Sequence, residues 1–310
     1  MEGEIIPSEI RRMMVRQHYK IVGNHSAVKL CSWTKKSIRG EGVCYKQKFY
    51  PEFVQSHRCL QMSPSACWCC NRCIMCWRSI EKTLGNTMDG IELDEPKDII
   101  KGAISAQKTL LNGYPGWDKT DMKKWKEAQT PTSAAISLIG EPTAYPRISE
   151  LIEEFHKNKI NTFLGTNGQF PERLDGMTEP NQFYISVDAA DKKTCKLVDR
   201  PAFPDFWERL NKSLELMNSF KCRKVIRLTL VKGMNMIDPE GYAKLIKKAG
   251  EPLVEVKAYM HIGESQKRLP RSAMPSHDEV KEFGSRIAKI LGYELSGEQA
   301  ASRVVLLKAS

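Results

Sequence analysis

Long apolar stretches are missing from this sequence, and residues 304–307 are among the longest such runs that it has. A membrane-spanning helix needs about 20 predominantly apolar residues, so the sequence predicts no span. The N-terminus carries Glu2, Glu4 and Glu9 and lacks the basic and then apolar layout of a secretory signal peptide. We therefore expect a cytoplasmic protein with no membrane partner.

Cysteine is rare outside one short region of the chain. Eight of the ten cysteines lie between residues 31 and 76, and only Cys195 and Cys222 lie elsewhere. Secreted proteins use cysteine for disulfides, but in a reducing compartment such crowding indicates metal binding. The region from 31 to 76 is therefore the first candidate for a functional site.

Acidic residues are too few to balance the basic ones, and the formal net charge is +11. Residues 1–60 hold eleven Lys or Arg against five Asp or Glu, so over half of the excess lies beside the cysteines. A basic field of this kind suits a polyanion, with nucleic acid as the first candidate. A merely solvated surface would have the same composition, so charge alone does not decide.

One short loop carries Cys69, Cys73 and Cys76 with the spacing C-x3-C-x2-C. Three thiolates can bind three irons of a 4Fe–4S cluster and leave the fourth iron open for a substrate or cosubstrate. The loop also contains overlapping C-x2-C pairs, formed with Cys67 and Cys70, and such pairs are typical of zinc sites. The loop favours the cluster but leaves zinc open.

A second group of cysteines, Cys31, Cys44 and Cys59, lies in a segment without clear periodicity, residues 23–59. A long irregular segment in a compact protein needs something to hold it. Three cysteines could do so by binding a second metal or cluster. The alternative is that they are buried free cysteines acting as small apolar residues.

Alternating strand and helix patterns predict a parallel sheet covered by helices, and no linker rich in Pro, Gly or Ser divides the series. Strands are predicted over 60–65, 134–139, 161–166, 182–187, 225–231, 253–259 and 303–307. Helices are predicted over 8–22, 96–111, 147–158, 204–220, 239–249 and 277–291, with an exposed helix or connection over 117–130. We therefore expect an α/β fold, most simply a partial (β/α)6-type TIM barrel.

Polar and small residues follow several predicted strands, at the edge where such folds place their chemistry. Each of them could serve only as a turn or a cap, but their recurrence downstream of the cysteine loop indicates a ligand site. The set consists of Gly140, Glu141, Pro142, Asn167, Ser186 and Asp188.

These features resemble the radical S-adenosylmethionine (SAM) enzymes, in which SAM chelates the open iron and is cleaved to a 5′-deoxyadenosyl radical. The resemblance implies a 4Fe–4S cluster on Cys69, Cys73 and Cys76. It also implies that the glycine–glutamate motif at 140–142, with the strand-end residues Asn167, Ser186 and Asp188, binds S-adenosyl-L-methionine. In such enzymes an aromatic residue usually precedes the third cysteine, and Met75 is expected to pack on the adenine in its place.

The whole chain is similar to the archaeal tRNA 4-demethylwyosine synthases. The similarity is carried by AVKLC at 27–31, CYKQKFY at 44–50, HRC at 57–59, CIMCWR at 73–78 and RSAMPSHDEV at 271–280. It implies a carbon–carbon lyase that condenses N1-methylguanosine 37 of tRNA(Phe) with two carbons of pyruvate, forming the tricyclic 4-demethylwyosine of wybutosine biosynthesis.

Further site residues follow from the same resemblance. It implies a second 4Fe–4S cluster on Cys31, Cys44 and Cys59, and an imine between pyruvate and Lys46. Residues 1–59 then form a basic, irregular extension that carries this auxiliary cluster, and residues 60–310 form the radical SAM catalytic domain. No role is expected for Cys67 or Cys70.

The partners implied are tRNA(Phe) containing N1-methylguanosine, pyruvate and an external electron donor such as flavodoxin or ferredoxin. The donor is expected to be external because no segment is left for the flavodoxin-like domain of eukaryotic relatives. A monomer is expected. Candidate phosphate ligands are Arg11, Arg12, Arg16, Lys123, Lys124, Lys126, Arg268 and Arg271. Two alternatives stay open, namely another radical SAM enzyme, acting on a small molecule or a protein, and a non-catalytic zinc-binding nucleic-acid protein.

Overall fold

The computed structural model describes residues 5–310, which form two compact units. The first unit contains the chain up to Cys69 together with Thr87–Leu164, and the second contains Cys70–Asn86 and Gly165–Ser310. Both mix helices and strands. This division does not coincide with the boundary predicted between residues 59 and 60. That boundary separates the auxiliary-cluster extension from the catalytic domain, and it stays a prediction.

In the first unit, helices and strands are interspersed along the sequence. Its strands are β1 (Lys20–Val22), β2 (Ser26–Val28), β3 (Cys59–Ser63), β4 (Ser133–Ile136) and β5 (Asn161–Thr166). Its helices are α1 (Ser8–Arg16), α2 (Ser32–Ile38), α3 (Tyr45–Phe49), α4 (Pro96–Leu111), α5 (Met122–Ala128) and α6 (Ile148–Lys157).

Strands β3, β4 and β5 are parallel, and their register aligns Cys59 with Ser133 and Ser133 with Asn161. Strands β1 and β2 form an antiparallel hairpin that pairs with the edge of β3. The carboxyl ends of β3 and β4 therefore lie side by side. The loops that follow them, over 64–69 and 137–142, emerge at the same edge of the sheet.

The second unit repeats the alternation of strand and helix. Its strands are β6 (Gln182–Ser186), β7 (Arg223–Leu230), β8 (Leu253–Ala258), β9 (Tyr293–Gln299) and β10 (Val304–Ala309). Its helices are α7 (Pro171–Leu174), α8 (Lys192–Val198), α9 (Phe206–Ser219), α10 (Pro239–Lys248) and α11 (His277–Leu291). Strands β6, β7 and β8 are parallel. The predicted α/β class is confirmed.

The last strand departs from the prediction of an all-parallel sheet. Strand β10 pairs antiparallel with β8 on one side and with β9 on the other. A single 3-10 turn, Ala300–Ser302, joins β9 to β10, and a parallel pair would need a crossover of a dozen or more residues. Strand β9, in which half-buried and exposed residues alternate, was not among the predicted strands.

The cysteine-rich segment over 23–59 is less irregular than predicted. It contains β2, α2 and α3, but α2 has seven residues and α3 has five, which is too short for a helical period to be read. The helix predicted over 8–22 ends at Arg16, and the chain then turns into β1. No helix within residues 5–310 is long and apolar enough to cross a membrane.

A buried ion pair lies among the parallel strands of the second unit. The Glu255 carboxylate on β8 has no exposed surface and accepts hydrogen bonds from Arg227 Nε at 3.0 Å and Nη2 at 2.8 Å. The hydroxyl of Tyr184 on β6 donates to the same carboxylate at 3.1 Å, and the guanidinium lies 4.6 Å from the Tyr184 ring centroid. Three adjacent strands are thus joined by one polar group of side chains.

Replacing Arg227 with alanine should lower the free energy of unfolding by about 3 kcal/mol, because it leaves the buried Glu255 charge without its partner. Urea denaturation would measure the loss. Adding Glu255→Gln to that variant should recover part of the stability, since a neutral amide costs less to bury. A single variant as stable as the wild type would contradict this account.

Candidate active site

The three cysteines of the N-terminal segment each lie where a regular element begins. Cys31 is the N-cap of α2 and Cys44 is the N-cap of α3, with almost the same backbone angles, φ −61° and ψ 147° against φ −61° and ψ 145°. Cys59 is the first residue of β3. Two short helices and one strand therefore fix the three thiols.

These thiols are close enough to influence one another and Lys46 electrostatically. Burial, followed by the charge of Cys31, raises the pKa of Cys44 to about 12 and that of Cys59 to about 11. The Lys46 ammonium acts in the opposite direction on the pKa of both thiols. Thiols of this kind stay protonated at neutral pH unless a metal replaces the proton.

Lys46 follows Cys44 by two residues and lies within α3. Its Nζ is 5.1 Å from the ring centroid of Phe163, a β5 residue that is 2% exposed. The amine therefore has an aromatic face on one side and the cysteine thiols near it. An amine in this setting can meet a small carbonyl compound beside an aromatic ring.

A hydrogen-bond group that the sequence did not reveal holds this part of the chain together. The hydroxyl of Ser56, which is 1% exposed, accepts from the Cys44 backbone N–H at 2.9 Å and donates to Gln47 Oε1 at 2.7 Å. The Ser56 N–H donates to the same Oε1 at 2.8 Å. Ser56 thus connects the start of α3 to the turn that leads into Cys59.

The donor set is suited to a multi-iron cluster. Within residues 5–310, no three His, Cys, Asp or Glu side chains are close enough to share a single metal ion. In a cubane cluster each cysteine binds a different iron, so its ligands are spaced more widely than those of one ion. Three half-buried thiols that influence one another, beside one ammonium group, fit that requirement.

The C-x3-C-x2-C loop crosses from one unit to the other, because Cys69 ends the first unit and Cys73 and Cys76 lie in the second. In the second unit the Cys76 N–H donates to the Cys73 carbonyl at 3.1 Å. Met75 is 8% exposed and belongs to a buried apolar cluster against which Cys73 packs. Its predicted contact with adenine stays a prediction.

The Arg268 side chain contacts the loop that carries Cys73 and Cys76. Its side chain is 12% exposed and its guanidinium donates to the backbone carbonyls of Ile74, at 3.2 Å, and of Cys76. It also pairs with Glu81 at 2.6 Å. Its donors thus hold the loop that carries Cys73 and Cys76, and its predicted phosphate contact stays a prediction.

The glycine–glutamate motif lies against the loop that leads to Cys69. Gly140 has φ +74°, and a Cβ on it would stand 2.0 Å from the Ser65 carbonyl oxygen and 2.6 Å from that of Trp68. The Glu141 N–H donates to the Trp68 carbonyl at 2.7 Å, and the Ser65 hydroxyl donates to the Glu141 carbonyl at 2.7 Å. Pro142 begins a 3-10 turn directly afterwards.

The Glu141 side chain is 3% exposed, and one carboxylate oxygen accepts from Thr143 N at 3.1 Å and from Thr143 Oγ1 at 2.6 Å. A carboxylate held in this way has a fixed orientation. The backbone groups of residues 140–141 and the side chain of Glu141 are therefore placed together at the carboxyl edge of β3 and β4, and their contact with SAM stays a prediction.

The remaining predicted ligands lie in the second unit. Asn167 donates to the Cys70 thiol at 3.3 Å, which gives Cys70 a structural contact that the sequence did not indicate. Asp188 accepts from the Thr229 N–H at 2.7 Å, and burial, then the Asp199 carboxylate, raise its pKa. Ser186 is half-buried at the end of β6. Their contact with SAM stays a prediction.

Cys67, which was given no role, has φ +76°, and its buried thiol lies 3.7 Å from Met14 Sδ. Burial raises its pKa to about 12. Cys67 and Cys70 are therefore both packed inside the protein.

Residues such as Ser56, Gln47 and Arg268 carry no local signal in the sequence, because their partners are set by the fold rather than by spacing.

The chain matches two families over most of its length. Residues 64–246 match the Radical SAM superfamily and residues 248–309 match the family described as wyosine base formation. The S-adenosyl-L-methionine-dependent tRNA 4-demethylwyosine synthase of Pyrococcus horikoshii is 50% identical over 307 residues, which cover 97% of this chain and 89% of that protein.

Two solved structures are similar over nearly the whole chain. One is a structure of TYW1 with a lysine-pyruvate adduct bound, with a TM-score of 0.88 and 36% identity, covering 98% of this chain and 96% of that chain. The other is a crystal structure of archaeal TYW1, with a TM-score of 0.80, 34% identity and the same coverage of 98% and 96%.

The superfamily match covers more than half of the chain, and the cysteine loop and glycine–glutamate motif agree with it, so the protein is a radical SAM enzyme. Within that class the chain belongs to the family of S-adenosyl-L-methionine-dependent tRNA 4-demethylwyosine synthases. The resemblance found in the sequence is confirmed. Membership of the superfamily implies SAM and a 4Fe–4S cluster as cofactors.

Replacing Gly140 with alanine should lower the free energy of unfolding by about 2 kcal/mol or more, since a left-handed backbone and two carbonyl oxygens oppose a Cβ there. Thermal unfolding would measure the effect. Gly113→Ala is the matched control, because Gly113 has φ −78° and nothing lies within 4 Å of its added Cβ. Equal unfolding midpoints for the two variants would refute the close approach.

Replacing Ser56 with alanine should expose the Cys44 amide to solvent exchange and cost about 1–3 kcal/mol, because a buried N–H and the Gln47 amide oxygen lose a partner. Hydrogen exchange of the metal-free protein measures this directly. Gln47→Glu keeps the accepting oxygen and should preserve protection, whereas Gln47→Ala should not. Unchanged exchange at Cys44 in Ser56→Ala would count against the network.

Proposed function

We propose that this enzyme condenses N1-methylguanosine 37 of tRNA(Phe) with two carbons of pyruvate and so forms 4-demethylwyosine, the tricyclic base of wybutosine and wyosine biosynthesis. The reaction cleaves a carbon–carbon bond of pyruvate, which makes the enzyme a lyase. The substrates are therefore a modified tRNA and pyruvate, and the electrons come from an external donor such as flavodoxin or ferredoxin. The enzyme acts in the cytoplasm as a monomer.

The observation that supports this proposal is the position of Lys46 beside three half-buried cysteines in the first unit. The charges of Cys31 and Lys46 both act on Cys44 and Cys59. A protein with a TM-score of 0.88 to this one holds a lysine-pyruvate adduct. A lysine beside three thiols, in a chain of the same family, is the natural counterpart.

At Lys46 the proposed chemistry is the condensation of an amine with a ketone. The neutral Nζ attacks the C2 carbonyl of pyruvate, a C=N bond forms, and the carbonyl oxygen leaves as water. The protonated imine keeps a positive charge on nitrogen. The Phe163 ring therefore faces a cation both before and after the condensation, and it can stabilise both.

Cys31, Cys44 and Cys59 would hold the second 4Fe–4S cluster, beside the lysine adduct. Cys69, Cys73 and Cys76 would hold the first, with SAM bound at its open iron. When bound, SAM and this cluster supply a radical able to remove hydrogen from the N1-methyl group of the guanine. The backbone at Gly140, Glu141 and Pro142 and the side chains of Asn167, Ser186 and Asp188 bind and orient SAM.

Lys46→Ala should abolish the adduct that borohydride traps with pyruvate, and mass spectrometry would detect that adduct. Lys48→Ala is the matched control, because Lys48 is exposed and lies two residues further along α3. Cys44→Ala should retain some SAM cleavage, which depends on the other cysteine triad, while losing the tricyclic product. Full product formation by Cys44→Ala would remove the second cluster from the proposal.

Metal analysis after anaerobic reconstitution separates the alternatives. Two cubane clusters correspond to about eight irons and eight sulfides per chain. About four irons would leave a radical SAM enzyme without the auxiliary cluster, and zinc without iron would contradict the proposed clusters at both cysteine triads. Incubation with tRNA containing N1-methylguanosine and with pyruvate distinguishes this activity from that of another radical SAM enzyme.

A further inference from the structure

A basic and aromatic surface lies beside the auxiliary cysteines in the first unit. We define it by residues of α2 and its C-cap, of α5 and of the segment before α5, namely Trp33, Lys36, Arg39, Trp117, Lys123 and Lys126. The Asp121 N–H donates to the Ile38 carbonyl at 2.8 Å and so joins the end of α2 to the start of α5. Beneath them Ile38 packs with Leu111 and Ala128.

The charge of this surface is strongly positive. Residues 29–40 contain four Lys or Arg and no acid, and residues 117–126 contain four Lys against two Asp. Lys36, Lys123 and Lys126 are exposed, and in the part of the chain that the structure describes none has a carboxylate within ion-pair distance. Such unneutralised cations suit the phosphates of a nucleic acid.

Two tryptophans accompany the cations. Lys36 Nζ lies 4.9 Å from the Trp33 ring centroid, and the Arg39 guanidinium carbon lies 4.9 Å from that of Trp117. Trp117 is 39% exposed, whereas Trp125 of the same region packs against the buried cluster and donates to the Leu111 carbonyl. Trp33 is half-buried, so Trp117 is the exposed ring, and an exposed ring beside a cation provides a stacking face for unpaired bases.

The surface is connected directly to the proposed reaction site. Helix α2 begins immediately after Cys31. His57, in the turn before Cys59, is 2.7 Å from the Glu127 carboxylate on α5. An RNA bound across α2 and α5 would therefore be held by the same elements that position two of the auxiliary cysteines.

We propose that this basic and aromatic surface binds the single-stranded anticodon loop of the tRNA substrate through its phosphates and through stacking on Trp117. The inference rests on the proposed function, because it takes tRNA as the substrate. An acidic electron-donor protein would meet the same charges, but it has no unpaired bases to stack on an exposed ring. The combination of both features favours RNA.

The test is the binding of unlabelled enzyme to fluorescent tRNA(Phe), measured by anisotropy at several salt concentrations. Reversing Lys36, Lys123 and Lys126 to Glu should weaken binding at least about tenfold and reduce the slope of log K against log salt by about 2. Trp117→Ala should weaken binding roughly fivefold and leave that slope unchanged, because stacking releases few counterions. The matched control is Lys244→Glu with Lys247→Glu, two exposed lysines of α10.

Thermal unfolding midpoints confirm that each variant is folded, and a milder Lys→Gln set replaces the charge reversals if they are not. Unchanged tRNA affinity in the folded variants overturns the inference. So does unchanged tRNA affinity with slower reduction by flavodoxin, which would assign the surface to the electron donor. A wild-type enzyme that binds no tRNA would instead reject the proposed function itself.

Discussion

The close contact between Gly140 and the loop before Cys69 is the constraint on which the first unit's site depends. Strands β3 and β4 are parallel and in register, so their following loops must share one edge of the sheet. There is room for both only because residue 140 has no side chain and adopts φ +74°. The contact fixes Glu141 and the chain entering Cys69 as one body.

The auxiliary site is built on a different principle. Its cysteines come from three elements that are too short to be stable alone, since isolated helices shorter than about 12 residues are marginal in water. Buried polar contacts hold them instead, with Ser56 between Cys44 and Gln47 and with His57 against Glu127. A bound cluster would add bonds to a scaffold that has little regular structure of its own.

Sequence patterns predicted much of the fold because long elements carry redundant signals. Helix α11 has its apolar period, the Ser276 and Glu279 capping box, and Gly292 at its end with φ +72°. Helix α2 has only a terminal glycine, Gly40 with φ +72°, and α3 has none of these signals, so both were missed. The motif residues were found by resemblance, whereas the contact of Arg268 with the cysteine loop was not predicted, because an arginine's partner, unlike a helix, has no period in the sequence.

Arg268 supports the cysteine loop from a distant part of the sequence. Its guanidinium binds the carbonyl of Ile74, a residue 194 positions earlier in the chain. During synthesis the cysteine loop leaves the ribosome long before Arg268 does. The backbone around Cys73 and Cys76 therefore lacks the Arg268 hydrogen bonds during most of synthesis. The backbone that carries Cys73 and Cys76 therefore gains its full set of contacts only when the polypeptide is nearly complete.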